Sequence, residues 1–174
     1  VSTTKGDGDV ILEIHHDWAP LGAARFCELV EAKYYDDVRF FRVLKDFMAQ
    51  TGINGNPATT AEWKHRSIQD DPVLQSNSRG TVSFATSGKN TRTTQIFFNT
   101  VNNKFLDSQG FTPFASIIEG MQYIDALYSG YGEGGRGDGT DSRGPSQGRV
   151  NKEGNAYLTT VFPKLSYINT IRII

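Results

Sequence analysis

The segment TQIFFNTV, residues 94–101, restricts the possible folds more than any other part of the chain. Its β-branched and aromatic content marks it as a strand. Side chains alternate across a strand, so Gln95 and Phe97 share one face while Ile96 and Phe98 share the other. Both faces are therefore apolar. Such a strand either lies between two layers or separates a core from a groove, and a groove of this kind has aromatic walls with a few polar donors. That composition suits a ligand with an apolar ring and amide groups.

The rest of the chain supplies partners for this strand. VILEIHH (10–16) alternates as a half-buried strand, and Pro20 opens PLGAARFCELVEAKYY with helical apolar spacing at Leu21, Ala24, Phe26, Leu29 and Val30. VRFFRVL and DFMAQTG follow as two short strands with a sharp bend at Lys45 and Asp46. GTVSFAT and FTPFASII are further strands, and the turn-rich SGKNTRTT joins the first of them to TQIFFNTV. EGMQYIDALYSG places Met121, Ile124, Leu127 and Tyr128 on one helical face, with Gly130 as a stop. A short helix is expected in NAYLTTVF, and YINTIRII closes the chain as a strand. Roughly eight short strands and two principal helices predict a mainly β domain, a barrel or sandwich with appended helices.

At 174 residues the chain fits one domain, 1–174, able to fold without disulfides or metals. Cys27 is the single cysteine and reads as a buried, inert thiol. A net charge of −1 with interspersed signs offers no basic stripe for nucleic acid or an anionic membrane. No apolar run approaches the roughly 20 residues that span a bilayer. VSTTKGDGD carries no signal-peptide pattern, but the chain begins on Val1 rather than Met, so the compartment stays open. His15, His16 and His65 lack metal-ligand spacing, and no metal or cofactor is expected. Arg136-Gly137-Asp138 matches an adhesion tripeptide, read here as solvated loop; Glu133, Asp138 and Asp141 lack calcium-loop spacing.

One residue stands out against this background. In FFRVLKDFMAQTG, Arg42 interrupts an apolar run that ends on Gln50, and arginine is rarely buried without a partner. FFRVLKDFMAQTG, GTVSFATSGKNTRTTQIFFNT and FLDSQGFTPFASIIEGM, in that order and spacing, resemble the cyclophilin family of peptidyl-prolyl cis-trans isomerases. The resemblance implies a closed eight-stranded antiparallel β-barrel capped by two α-helices. It implies Arg42 as the catalytic arginine and Gln50 as the glutamine that holds both Arg42 and a substrate carbonyl. Phe47, Met48, Phe97 and Leu106 match the family's proline pocket, with Ala85 beside it and Gln95 further along the groove. Thr86 stands where the family commonly has an asparagine whose backbone binds substrate.

Two further departures concern aromatic positions. Phe105 replaces a tryptophan found in many members, and Phe111 is the nearest counterpart of the groove histidine. Phe41 replaces the usual histidine before the arginine, which reads as a change in the core or support. The resemblance implies proline-containing peptides as substrates, a monomer, and cyclosporin A as a ligand of reduced affinity. Segments 54–78 and 130–155 exceed the shortest members and are expected as surface loops rather than as a rim of the groove. A proline-peptide binding module and a small-ligand barrel are the rival readings; the second requires an apolar interior cavity.

Overall fold

The computed structural model describes residues 1–135 and 143–174. Arg136-Gly137-Asp138 and Asp141 lie outside the described residues. Among the described residues, ten short strands fall in two antiparallel sheets. The larger sheet holds β3 (Ile11–Ile14), β9 (Pro113–Glu119), β7 (Thr81–Phe84), β8 (Ile96–Asn99), β6 (Met48–Thr51) and β5 (Arg42–Leu44), in that spatial order. The smaller runs β2 (Gly6–Asp7), β1 (Ser2–Thr3), β10 (Tyr167–Ile168) and β4 (Val38–Arg39).

The hydrogen-bonded ladder thus departs from one closed eight-stranded barrel. At both outer edges the chain itself joins the sheets: β4 passes into β5 through Phe40 and Phe41, and β2 into β3 through residues 8–10. At the corner Phe40 still pairs with the smaller sheet, its N–H bonding the Ser166 carbonyl at 2.9 Å, before the chain enters β5 in the larger one, and the rings of Phe40 and Phe41 are buried. The closing strand is also shorter than YINTIRII suggested, ending at Ile168.

The main core lies between α1 (Pro20–Glu31) and the inner sheet faces, where Phe26, Leu29, Phe84, Ile96, Phe98 and Phe114 pack together. Pro20 starts α1 as expected, but the N-cap Ala19 has no side chain to bond the free N–H groups. Asp71 caps them from 50 residues away, accepting from Leu21 N at 3.1 Å and Gly22 N at 2.9 Å. Its carboxylate also pairs with buried Arg92 at 3.0 Å. Cys27 on this helix is half-buried, and desolvation, with the nearby Glu31 charge, pushes its thiol up. That agrees with an unreactive role.

The helices differ from expectation where the sequence is rich in glycine. The second helix, α3, is confined to Met121–Asp125, whereas Gln147–Val161 forms the kinked α4, whose second half is the short helix expected in NAYLTTVF and whose first half lies in a stretch expected as loop. Segment 54–78 contains α2 (Pro57–Trp63), capped by the Asn56 side chain on Ala58 N. The two long segments pack on each other. Gly154 makes this contact possible: it kinks α4 with φ +58° and ψ −141°, and a Cβ there would stand 2.0 Å from the Gly55 carbonyl oxygen. Apolar side chains of α4 join Phe41, Ile53, Phe162 and Leu165 in a second core.

No helix among the described residues is long and apolar enough to cross a membrane. An apolar hollow of about 630 Å³ lies between β3, α1 and residues 170–174, reaching Phe26, Phe40 and Phe98. It is partly open to solvent, unlike the enclosed interior cavity a small-ligand barrel requires, and it shares no lining residue with the cleft around Arg42.

Candidate active site

Strand register builds the site. Arg42 pairs with Gln50, and Gln50 pairs with Phe97, so the three lie in one row across β5, β6 and β8. Alternation then gives β8 its two roles: Ile96 and Phe98 enter the main core, while Phe97 joins Met48 and Leu106 in a separate cluster on the other face. Leu44, Phe47, Ala85 and Phe111 pack against that cluster. Together they form an apolar pocket in a cleft of about 300 Å³.

The cleft brings together most of the residues proposed from the sequence. Arg42, Gln50, Phe47, Met48, Ala85, Thr86, Gln95, Phe97, Leu106 and Phe111 all line it. Phe111 meets Phe97 edge-on at 5.5 Å, which suits its assignment as a groove residue. Thr86 turns its hydroxyl into its own loop, toward Gly88 O and Thr91 Oγ1. Phe105 is the exception. It is 56% exposed, lies outside the lining, and stacks on Phe47 at 5.8 Å, so it reaches the pocket through Phe47.

A buried polar network holds the pocket floor in place. Leu106 sits on a 3-10 turn (Lys104–Gln109) fixed by Asp107, which accepts from Ser76 Oγ, Asn77 N and Asn77 Nδ2 at 2.6–2.8 Å. Asn77 Nδ2 also donates to the Phe111 carbonyl, and Asn103 Nδ2 donates to the Phe47 carbonyl, both at 2.9 Å. Asn99 links Asn103 to Thr81. Since Asn77, Asn99 and Asn103 are buried, breaking one bond leaves an unsatisfied group at a cost of about 1–3 kcal/mol. Pocket walls from three chain segments are thereby tied to the sheet.

The polar side of the cleft is a directed chain of hydrogen bonds. A guanidinium only donates, so Arg42 Nη1 gives to Gln50 Oε1 at 3.0 Å. That turns Gln50 Nε2 toward Gln95 Oε1 at 2.8 Å, and Gln95 Nε2 in turn reaches Gln147 Oε1 at 3.3 Å. Each amide is oriented by the one before it. Tyr35 holds the segment entering β8 by donating to the Thr94 carbonyl at 2.9 Å.

Two residues here were missed in the sequence. Gln147, at the start of α4, lines the cleft, and Glu133 pairs with Arg42: Nε donates to Oε1 at 2.6 Å and Nη2 to Oε2 at 2.8 Å. The hydrogen bond from Arg42, helped by one from Gly134 N and by the Arg143 charge, outweighs desolvation and holds the Glu133 carboxyl below its usual value. Both residues come from the segment expected as plain surface loop, which instead builds one side of the site. No local pattern signals a contact spanning 91 residues.

The chain is similar to several known proteins. Residues 1–149 match the family model described as cyclophilin type peptidyl-prolyl cis-trans isomerase/CLD. Peptidyl-prolyl cis-trans isomerase-like 3 of Dictyostelium discoideum is 33% identical over 123 residues, 69% of this chain and 76% of the relative. A peptidyl-prolyl cis-trans isomerase of Acinetobacter baylyi is 31% identical over 129 residues, 69% of this chain and 66% of its own. Among solved structures, a cyclophilin type isomerase of Cryptosporidium parvum superposes with TM-score 0.59 at 24% identity, covering 72% of this chain and 79% of that one. A Hirschia baltica cyclophilin gives 0.60 at 19% identity, covering 73% and 65%. At these identities the structures speak for the fold.

Proposed function

The chain belongs to the cyclophilin-type peptidyl-prolyl cis-trans isomerases, and from that premise we propose that it isomerises X-Pro bonds of polypeptides by non-covalent stabilisation of the twisted amide with Arg42. Amide resonance sets the uncatalysed barrier at about 18–20 kcal/mol. Twisting the bond breaks the resonance, and the prolyl nitrogen pyramidalises and regains a lone pair. A guanidinium N–H aimed at that nitrogen bonds it only in the twisted state, so the interaction lowers the barrier rather than merely binding substrate. No proton is transferred and no covalent bond forms.

The observation that carries this reading is the placement of the Arg42 guanidinium and the Gln50 amide beside an apolar pocket of Met48, Phe97 and Leu106. The proline ring occupies the pocket, with Phe47, Ala85 and Phe111 around it. Gln50 receives the substrate carbonyl through its remaining N–H, and Gln95 and the Thr86 backbone guide the chain beyond. Residues 1–174 act as one isomerase domain, because α4 packs on Phe41 beside the site. Cyclosporin A is a ligand of reduced affinity, since Phe105 offers no N–H donor.

The test is a cis-trans exchange assay on a proline tetrapeptide, comparing wild type with Arg42→Ala. Acceleration by wild type that collapses in the variant supports the reading. Binding of the peptide without acceleration would identify a proline-peptide binding module instead.

A further inference from the structure

We propose that Glu133 is a positioning residue for the isomerase reaction, locking the plane of the Arg42 guanidinium so that its remaining N–H groups face the cleft. The inference rests on the isomerase reading above and adds to it a residue from outside the pocket. Arg42 stands on a three-residue edge strand, and its hydrogen bond to Gln50 fixes a single nitrogen, about which the planar head can still swing. The Glu133 fork removes that freedom. A carboxylate that accepts from Nε and Nη2 together matches the guanidinium edge in both distance and direction.

The donor inventory agrees. Of five N–H groups, Glu133 takes the one on Nε and one on Nη2, and Gln50 takes one on Nη1. One N–H on each terminal nitrogen remains for substrate. Arg42 lines the cleft and Glu133 does not, so the carboxylate supports the guanidinium from behind rather than blocking the site.

Glu133 is itself held by a built frame. Gly134 N donates to its Oε1 at 3.0 Å, and Gly144 N bonds its carbonyl at 2.9 Å while Gly135 N bonds the Gly144 carbonyl at 2.8 Å. Gly144 is buried, and a Cβ there would press on the Tyr131, Gly132 and Glu133 carbonyls at 3.2–3.4 Å. Ser146 N then bonds the Tyr157 hydroxyl at 3.2 Å. Tyr157 belongs to the second core with Phe41, the residue that precedes Arg42. Both ends of the ion pair are therefore anchored in one hydrophobic cluster, which fixes their separation.

The experiment measures kcat and KM for a proline tetrapeptide with wild type, Glu133→Gln, Arg42→Ala and the double variant. Glu133→Gln is expected to lower kcat about tenfold with KM nearly unchanged, because an unlocked guanidinium spends less time in the productive geometry. In the Arg42→Ala background the same change adds nothing, since Glu133 acts through that side chain. Wild type gives a second perturbation without substitution. The charged groups facing Glu133 are Arg42 and Arg143, which stay protonated, so a fall in kcat as pH drops below the ordinary glutamate range reports Glu133. Glu133→Gln should lack that limb, with circular dichroism confirming the fold at each pH.

An inactive wild type would overturn the isomerase reading and this inference with it. An active wild type in which Glu133→Gln leaves kcat and the acid limb unchanged overturns the inference alone, as does a gain in activity, which would make Glu133 a brake. Equal losses from Glu133→Gln with and without Arg42 also overturn it.

Discussion

Phe41 and Arg42 are adjacent in the chain and serve different structures: the Phe41 ring is 2% exposed in the cluster with Tyr157, Leu158 and Phe162, while Arg42 lines the cleft. The peptide between them couples the packing of α4 to the position of the guanidinium.

Arg42→Ala is expected to reduce kcat/KM by a factor on the order of 10² to 10³, the scale of losing one preorganised donor. Folding should survive, because the side chain faces the cleft and its partner Glu133 is half exposed. Peptide exchange rates and a thermal melt check the two halves separately, and unchanged turnover would sink the mechanism.

Phe41→Ala removes a buried ring from the second core and should cost about 3–5 kcal/mol of stability. Denaturant titration reads this directly. A loss below about 1 kcal/mol would mean that α4 packs independently of the strand that carries Arg42.

Turnover should be nearly flat between about pH 6 and 8, since arginine and glutamine do not titrate there. A midpoint near pH 6.5 would implicate a histidine and count against the proposed site. Stability should fall in acid. Glu133 is held down by its hydrogen bond from Arg42 and Asp36 by that from Arg172, while at Asp107 burial acts upward and is outweighed by Ser76 and Asn77. Carboxyls lowered in the folded state stabilise it fully above their unfolded values, near pH 4, and lose that contribution as pH falls through the folded ones. Melting temperature should thus hold from about pH 8 to 5 and then drop.

Phe105 keeps aromatic surface on Phe47 but offers no donor to an inhibitor carbonyl. Cyclosporin A should therefore bind roughly five- to a hundred-fold more weakly than to a tryptophan-bearing counterpart, about 1–3 kcal/mol. Phe105→Trp should recover part of this in a binding titration, with little effect on tetrapeptide turnover. Tight binding by wild type with no gain in the variant would refute the assigned role of the donor.

Period-two patterning within single segments settled much of this protein in advance. Apolar residues on both faces of TQIFFNTV already required β8 either to lie between two layers or to part a core from a groove, and Arg42 and Gln50 were conspicuous in FFRVLKDFMAQTG because an arginine in an apolar run needs a partner. These features depend on strand geometry, which acts between neighbours in sequence. The ion pair of Arg42 with Glu133, the cap that Asp71 places on α1, and the first half of α4, before Gly154, depend on tertiary structure. Gly154 interrupts α4 where Gly55 packs against it, and Glu133 reads as a solvated loop charge until Phe41 and Tyr157 bring its loop to the sheet. A long-range contact is stabilised by groups far apart in the chain, so only the folded arrangement could decide it.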